Sequence, residues 1–310
     1  MKRVGVITGP TGVGKTGLSL EVARRLEAEI INGDATALYR GMDIGTDKPR
    51  AEARAHVPHH LLDVVDPPEG IHVARYAQLA REAVEDILSR GKRPLFVGGS
   101  LLYIRAATLG YFFSPVPPDP SFRQALERRA EREGPEALYR ELVAIDPEVV
   151  TFVHPRNLRR IIRALEIHRA TGEPPSLHLR QKPVPPFARK VVALTRPREE
   201  LRRLIRQRIF RELEEGFVRE VEDLLARYPR DLPVFQTLGY REIIRYLDGH
   251  LSWAELPEAI FARTWQLARR QYTWLRREPD VVWLDLGTLS LAEAISEAVG
   301  LLGDFFAGTP

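Results

Sequence analysis

Residues 4–20 read VGVITGPTGVGKTGLSL, and the order of features in this stretch decides the fold. Val4–Thr8 is a short β-branched run of the kind that suits a buried strand. It runs into Gly9, Pro10, Thr11, Gly12, Val13, Gly14, Lys15 and Thr16, which satisfy the pattern G-x-x-x-x-G-K-[ST]. Lys15–Leu26 then continues as an amphipathic helix. In such a loop glycines let successive backbone N–H groups turn inward on an anion, and the following helix directs its positive dipole end there. Lys15 adds a point charge, and the Thr16 hydroxyl suits Mg²⁺. Phosphate binding follows, but the reaction stays open. A triphosphate could be attacked at phosphorus, or a diphosphate could depart from carbon, where stabilising the leaving anion is itself catalysis.

Working outward, Glu29–Asn32 (EIIN) and Leu61–Val65 (LLDVV) read as the next strands. Ala74–Arg90 is a helical pattern stopped by Gly91, and Pro94–Val97 is a strand ending in Gly98-Gly99. Strands alternating with helices predict a parallel α/β sheet. The texture changes at Pro115, where PVPPDP punctuates the chain and Arg/Glu-rich helical stretches follow to about Ala170. A second proline-dense stretch, TGEPPSLHLRQKPVPPF, precedes a returning strand at Lys190–Thr195. Leu201 to about Tyr228, Leu238–Leu247 and Glu258–Arg277 read as helical, and Val281–Leu286 as a last strand. The expected architecture is α/β: a P-loop NTPase-like parallel sheet core, residues 1–114 and 190–310, carrying an inserted all-helical domain, residues 115–189.

Composition narrows the class. The 310 residues contain 44% hydrophobic and 28% charged residues, as ordinary globular proteins do. No apolar run approaches the roughly 20 residues that span a bilayer, so no membrane is expected. The first residues enter a strand and a Gly-rich loop directly, which reads as no signal peptide and a cytoplasmic address. With no cysteine, disulfides, thiolate metal sites and cysteine nucleophiles are excluded. The net charge of +4 is unevenly spread: residues 151–190, 196–211 and 261–277 carry +7, +5 and +5, leaving −13 for the remainder. Only six of the 46 basic residues are lysine. Arginine suits bidentate phosphate contacts, and a clustered basic surface points to a polyanion such as nucleic acid.

Three further stretches follow the loop in order: GDATALYRGMDIGTDKP (Gly33–Pro49), HHLLDVVDPPEG (His59–Gly70) and FVGGSLLYIRA (Phe96–Ala106). VHPRNLRRIIRALEIHRATGEPPS (Val153–Ser176), TLGYRE (Thr237–Glu242) and WQLARRQYTWLR (Trp265–Arg276) continue the series. The series resembles the tRNA dimethylallyltransferase (isopentenyltransferase) family from Val4 to about Asp285. That resemblance implies transfer of a dimethylallyl group from dimethylallyl diphosphate to N6 of the adenosine 3′ of the tRNA anticodon, with Mg²⁺. It implies a core like that of nucleotide kinases and an insertion gripping the anticodon stem-loop; a monomer is the working expectation.

The resemblance also assigns residues. Asp34 matches the family's general base: the amine lone pair is delocalised into the adenine ring, and a carboxylate can take the proton as the C–N bond forms. Lys15 and Ser100 join it as catalytic groups, Ser100 standing where the family commonly has Thr. The loop Gly9–Thr16 with Arg208 would bind diphosphate, Thr16 also the metal. Asp34, Ala35, Thr36, Ala37 and Ser100 would meet the tRNA at its adenosine. Arg123 and the segment Arg159, Arg160, Ile161, Ile162 and Arg163 would contact tRNA, with Ile161, Ile162 and Leu165 forming the buried side of that helix. Gln236, Thr237, Leu238, Gly239, Tyr240 and Arg241 match another RNA-contacting turn, where Tyr240 could stack on a base or sit in the core. Arg263, Gln266, Arg270, Trp274 and Arg277 fall at helical spacing on one basic face, with Gln266 and Arg270 assigned to tRNA. Phe261, Trp265, Ala268, Tyr272 and Leu275 lie opposite and read as core. His59 and His60 read as structural. The chain departs from the family pattern at Ala35 (usually Ser), Leu204 (often Arg) and Trp265 (usually Arg).

Three rivals remain at this point. A small-molecule kinase would use ATP at the same loop, with Asp63 or Asp66 holding its metal. A prenyl transferase acting on free AMP or ADP would not require so broad a basic surface. A non-catalytic RNA-binding module would not require an intact loop together with Asp34.

Overall fold

The structure is a computed structural model and describes residues 1–111, 113–114, 116–180 and 184–308. Pro115, the expected start of the inserted domain, and Gln181–Pro183 of the second proline-dense stretch lie outside the described residues. The chain divides into two compact units, residues 1–110 with 185–310, and residues 111–184.

The first unit is built on six strands: β1 (Arg3–Thr8), β2 (Ala28–Asn32), β3 (His59–His60), β4 (Arg93–Val97), β5 (Ala188–Thr195) and β6 (Val281–Asp285). All pairings are parallel and the strand order is β3-β2-β4-β1-β5-β6. β1 and β2 are almost entirely buried, as expected where helices cover both faces of a parallel sheet. Around the sheet run α1 (Lys15–Arg25), α2 (Ala51–His56), α3 (Val73–Ser89) and α4 (Leu101–Thr108). Four short or mid-length helices, α5 (Pro120–Glu133), α6 (Pro135–Ile145), α7 (Leu158–Thr171) and α8 (Pro175–Leu179), make the second unit. The chain then returns to the first unit with α9 (Arg198–Glu214), α10 (Phe217–Leu225), α11 (Tyr240–Leu247), α12 (Leu256–Leu275) and α13 (Leu291–Ala307). No helix of the described residues is long and apolar enough to cross a membrane.

Parallel strands present their C-terminal ends at one edge of the sheet, where ligands of open α/β folds bind. Three of those ends matter here: the loop after β1, Gly33-Asp34 after β2, and Gly98–Ser100 after β4. The last two are stitched together, Gly33 N–H donating to Val97 O at 2.7 Å and Ser100 N–H to Gly33 O at 3.0 Å. A Cβ on Gly98 would lie 2.2 Å from the Gly33 carbonyl carbon. Only glycine permits that approach.

One expected strand is misplaced. Leu61–Val65 is not a strand; β3 is two residues earlier, pairing His59 and His60 with Ile30 and Ile31. Leu61 and Asp63 adopt positive φ of 63° and 56°, a left-handed backbone that cannot continue a ladder. Asp63 is held there by charge, accepting from the buried Lys48 and, at 2.9 Å, from Arg54, while Leu61 O accepts from Asn32 Nδ2 at 2.9 Å.

The second unit closes around its own apolar cluster, with Leu126, Leu138, Leu142, Val149, Ile161 and Leu165 at its centre. Its helices start where the sequence caps them. Asp119 accepts from the Phe122 N–H at 3.0 Å ahead of α5, and Asn157 from the Arg160 N–H at 3.2 Å ahead of α7. Gly134, at φ 81°, separates α5 from α6.

Candidate active site

The phosphate loop is held from behind. Val13 is fully buried, and its carbonyl accepts from Arg196 Nε at 3.0 Å, while Arg196 Nη1 reaches Glu200 and Leu286 O. Lys15 curls back over the loop, its Nζ donating to Gly9 O and Pro10 O at 3.1 Å each. Desolvation holds its ammonium below the ordinary lysine value, with Arg208 acting in the same sense and Asp34 and Asp47 opposing. Thr16, on the first turn of α1, is exposed. A cation looped over a glycine-rich turn at a helix N-terminus is the kind of seat where an anion binds.

Asp34 faces this seat from the end of β2. Its backbone N–H donates to Asn32 Oδ1 at 2.9 Å, and Asn32 Nδ2 donates in return to Asp34 O and Leu61 O, both at 2.9 Å. The carboxylate is fixed separately: the Gly99 N–H donates to Asp34 Oδ1 at 2.6 Å. No hydrogen bond to Oδ2 occurs among the described residues. Ser100 stands at the N-terminus of α4 without capping it; its Oγ accepts from the Ala35 N–H at 3.0 Å. That bond runs to the backbone at position 35, so Ala35 in place of a hydroxyl residue leaves the turn intact.

Arg208, half-buried on α9, is the third wall. It donates through Nη1 to Thr11 Oγ1 at 3.2 Å and through Nε to Glu212 at 2.6 Å, and it lies 3.4 Å from Asp47. Burial alone would lower its pKa, but Glu212 and Asp47 outweigh that and hold it above its ordinary value. Burial pushes the Glu212 carboxyl up. Arg208 is therefore a cation tied to the loop, and not a member of a solvated helix face.

Asp47 belongs to the loop after Tyr39, whose shape is set by α10. Glu220 accepts from the N–H groups of Asp43 and Ile44 at 2.7 Å and of Gly45 at 3.2 Å, and from Tyr240 OH at 2.6 Å. Lys48 is buried beneath, bound to Tyr39 O at 2.6 Å and to Asp43 and Asp63. His59 and His60 are structural as expected, Nδ1 of His59 meeting Val57 O and Nε2 of His60 meeting Glu29, each at 2.7 Å. Together these elements enclose a cleft of about 1360 Å³ whose lining includes Lys15, Thr16, Asp34, Ser100, Arg208 and Arg270. Among the described residues no group of three or more His, Asp or Glu is arranged to hold a metal.

The candidate RNA contacts divide. Gln236, Arg241, Gln266 and Arg270 are exposed, and Arg270 lines the cleft with Thr237 and Leu238. Thr36 lines it too, whereas Ala37 is buried. Tyr240 corrects the stacking reading: it is 0% exposed, packs edge-on against Phe217 at 5.0 Å beside Gly239, and spends its hydroxyl on Glu220. In the second unit Arg159 and Arg160 are exposed. Ile161 and Ile162 are core, at 0% and 4% exposure, so their side chains cannot meet RNA. Arg123 and Arg163 converge on the buried Glu166, and Arg163 also donates to Val116 O at 2.8 Å. One carboxylate offsets only one of the two guanidinium charges, so this partly exposed pair keeps a net positive charge. Trp265 stacks on Phe261 and lies under the guanidinium groups of Arg198 and Arg202, at 5.6 and 5.3 Å from its ring centre. Two arginines of α9 thus pack on the ring that stands at 265.

One buried polar residue carries no sequence signal. Gln271 sits within the quoted QLARRQYTW stretch, but periodicity places it between the basic and aromatic faces of α12. It accepts from the Thr11 N–H at 2.9 Å and donates to Gly99 O at 3.0 Å. Asp47 was equally silent, lying in a loop whose partners come from α9, some 160 residues away.

The IPP transferase family model matches residues 37–278. The tRNA dimethylallyltransferase of Thermomicrobium roseum is 44% identical over 96% of this chain and 91% of its own length. That of Bacillus subtilis is 40% identical over 91% and 90%. Among solved structures, the tRNA isopentenylpyrophosphate transferase of Bacillus halodurans aligns with a TM-score of 0.76 and 35% identity, covering 99% of this chain and 98% of the other. A eukaryotic dimethylallyltransferase captured acting on tRNA aligns at TM-score 0.86 and 30% identity, over 100% and 81%.

Proposed function

The chain belongs to the IPP transferase family, and from that premise we propose how its cleft works. The enzyme transfers a dimethylallyl group from dimethylallyl diphosphate to N6 of the adenosine 3′ of the anticodon in tRNA, releasing diphosphate. The loop Gly9–Thr16, Lys15 and Arg208 hold the diphosphate and stabilise the charge that grows on it as the C–O bond breaks. Asp34 Oδ2 accepts the N6 proton as the C–N bond forms, while Oδ1 stays on Gly99 N–H, so the base does not turn away. Ser100 keeps the Asp34-Ala35 turn in register through Ala35 N–H.

The residues present fit Mg²⁺ of the kind that protein binds sparingly. No acidic cage exists among the described residues, yet an exposed Thr16 hydroxyl beside Lys15 can supply one ligand while substrate oxygens and water supply the rest. When bound there, Mg²⁺ would neutralise part of the diphosphate charge. The basic second half of the chain, with exposed Arg159, Arg160, Gln266 and Arg270, supports the inserted helical unit and α12 as tRNA contacts. A tRNA substrate supports work in the cytoplasm.

The observation that carries this reading is the carboxylate of Asp34 pinned on one oxygen opposite a seat for a diphosphate. Incubation with labelled dimethylallyl diphosphate and either tRNA or AMP tests it. Label in tRNA alone is expected; label in AMP, or ATP turnover without transfer, overturns it.

A further inference from the structure

Gln271 is the only side chain that touches two of the three strand-end segments of the cleft at once among the contacts described above. Its Oε1 accepts from the Thr11 N–H in the phosphate loop, and its Nε2 donates to Gly99 O in the turn after β4. The next bond in line, Gly99 N–H to Asp34 Oδ1 at 2.6 Å, leads to the base. Thr11 in turn holds Arg208 through its hydroxyl. One primary amide therefore spans the gap between the group that binds the leaving anion and the group that takes the proton.

Two features make this span specific. The two bonds have opposite polarity, so the amide must present oxygen to the loop and nitrogen to the turn; a carboxylate would set an acceptor against the Gly99 carbonyl. Space is equally committed: a Cβ on Gly99 would lie 2.4 Å from Gln271 Nε2. The residue is 9% exposed, so water is poorly placed to replace either bond. In addition, Thr11 N–H is taken out of the set that the loop offers to an anion, which confines the diphosphate to the N–H groups from Gly12 onward.

We propose that Gln271 is a positioning residue that sets the distance between the diphosphate seat and the Asp34 carboxylate, acting through Thr11 on one side and Gly99 on the other. This rests on the reading of the reaction given above. Displacement at carbon requires the departing diphosphate and the attacking amine to be held in line, and the amine is held by its base. A shift of about 1 Å between them costs on the order of 100-fold in rate, while each substrate still finds its own seat. The consequence is a loss in the chemical step that binding does not share.

The test uses the full chain with three proteins: wild type, Gln271→Leu and Gln271→Glu. Single-turnover transfer from dimethylallyl diphosphate to tRNA is measured beside equilibrium binding of each substrate. Gln271→Leu is expected to slow transfer about 100-fold with both affinities within about threefold of wild type. Gln271→Glu keeps the shape and the acceptor for Thr11 N–H. Its rate relative to wild type should recover as pH falls, because the protonated carboxyl regains a donor for Gly99 O; a residue with a merely structural role would show no such recovery. A rate loss under threefold in both variants, a loss confined to substrate affinity, or a flat pH ratio for Gln271→Glu overturns the role. Wild type measured alongside keeps the two failures apart. No transfer by wild type overturns the reaction and this inference with it, whereas equal transfer by all three proteins overturns Gln271 alone.

Discussion

In the proposed reaction two ionisable groups of opposite sign, Asp34 and Lys15, divide the chemistry of the cleft. Asp34 has one oxygen on a backbone N–H and the other without a partner among the described residues, the arrangement a base needs to stay aimed while it accepts a proton. Asp34→Ala should lower single-turnover transfer by about 10²- to 10⁴-fold and leave the tRNA gel shift unchanged; loss of the shift would reassign Asp34 to binding. Lys15 is held below its ordinary value near 10.5, chiefly by desolvation. Between the lowered value and 10.5 the unfolded chain binds more protons at this position than the folded one, so stability rises with pH across that window. Wild type should therefore gain thermal stability relative to Lys15→Met as pH climbs toward 10.5, and a gap that stays level would refute the desolvation. The same substitution should weaken dimethylallyl diphosphate at least about tenfold, or about 1.4 kcal/mol, measured by calorimetry.

At the scale of elements, α7 shows how one helix serves a core and a surface. Ile161, Ile162 and Leu165 are buried, Arg159 is exposed, and Glu166 lies between, accepting from Arg123, Arg163 and the Asp119 N–H. Burial pushes the Glu166 carboxyl up, but those donors outweigh it and hold it below its ordinary value. Its contribution is present above the unfolded carboxylate value and is lost as pH falls through the lowered one. Glu166→Gln should cost about 2–3 kcal/mol in denaturant unfolding, less than a fully buried pair because both guanidinium groups remain partly in water. That cost should fade in acid. Arg159→Gln should leave unfolding unchanged and reduce the salt slope of tRNA binding by about one. If the two substitutions exchanged effects, the assignment of α7's faces would be wrong. α9 makes a comparable division, with Arg208 turned into the cleft and Arg198 and Arg202 laid on Trp265.

For the whole molecule the governing quantity is where charge sits. Three windows in the second half carry the excess positive charge while the total is only +4. Such a surface binds a polyanion by releasing counterions, and a small diphosphate, gripped by a few directed bonds, does so far less. With about six phosphate contacts, tRNA affinity should fall on the order of 10³-fold between roughly 50 and 200 mM salt. Affinity for dimethylallyl diphosphate over the same range should change far less. Parallel salt dependence of the two substrates would mean that tRNA is held in the cleft alone.

Much of this was legible before any coordinates. VGVITGPTGVGKTGLSL carries its own strand, turn and helix, because β-branching, glycine and helical spacing act over a few residues. The parallel α/β core follows from signals of that range, and so do the expectations of a phosphate seat and an inserted helical segment; Asp34 is singled out as a candidate once the neighbouring stretches are matched to a family. What only the tertiary structure decided is partnership. Tyr240 went to Glu220, Arg163 to Glu166, Asp63 to Lys48 at the expense of a strand, and Gln271 to two segments more than 170 residues distant along the chain. A polar side chain bonds whichever group packing delivers within about 3 Å. That delivery depends on how sheet and helices assemble, which no local window of sequence contains.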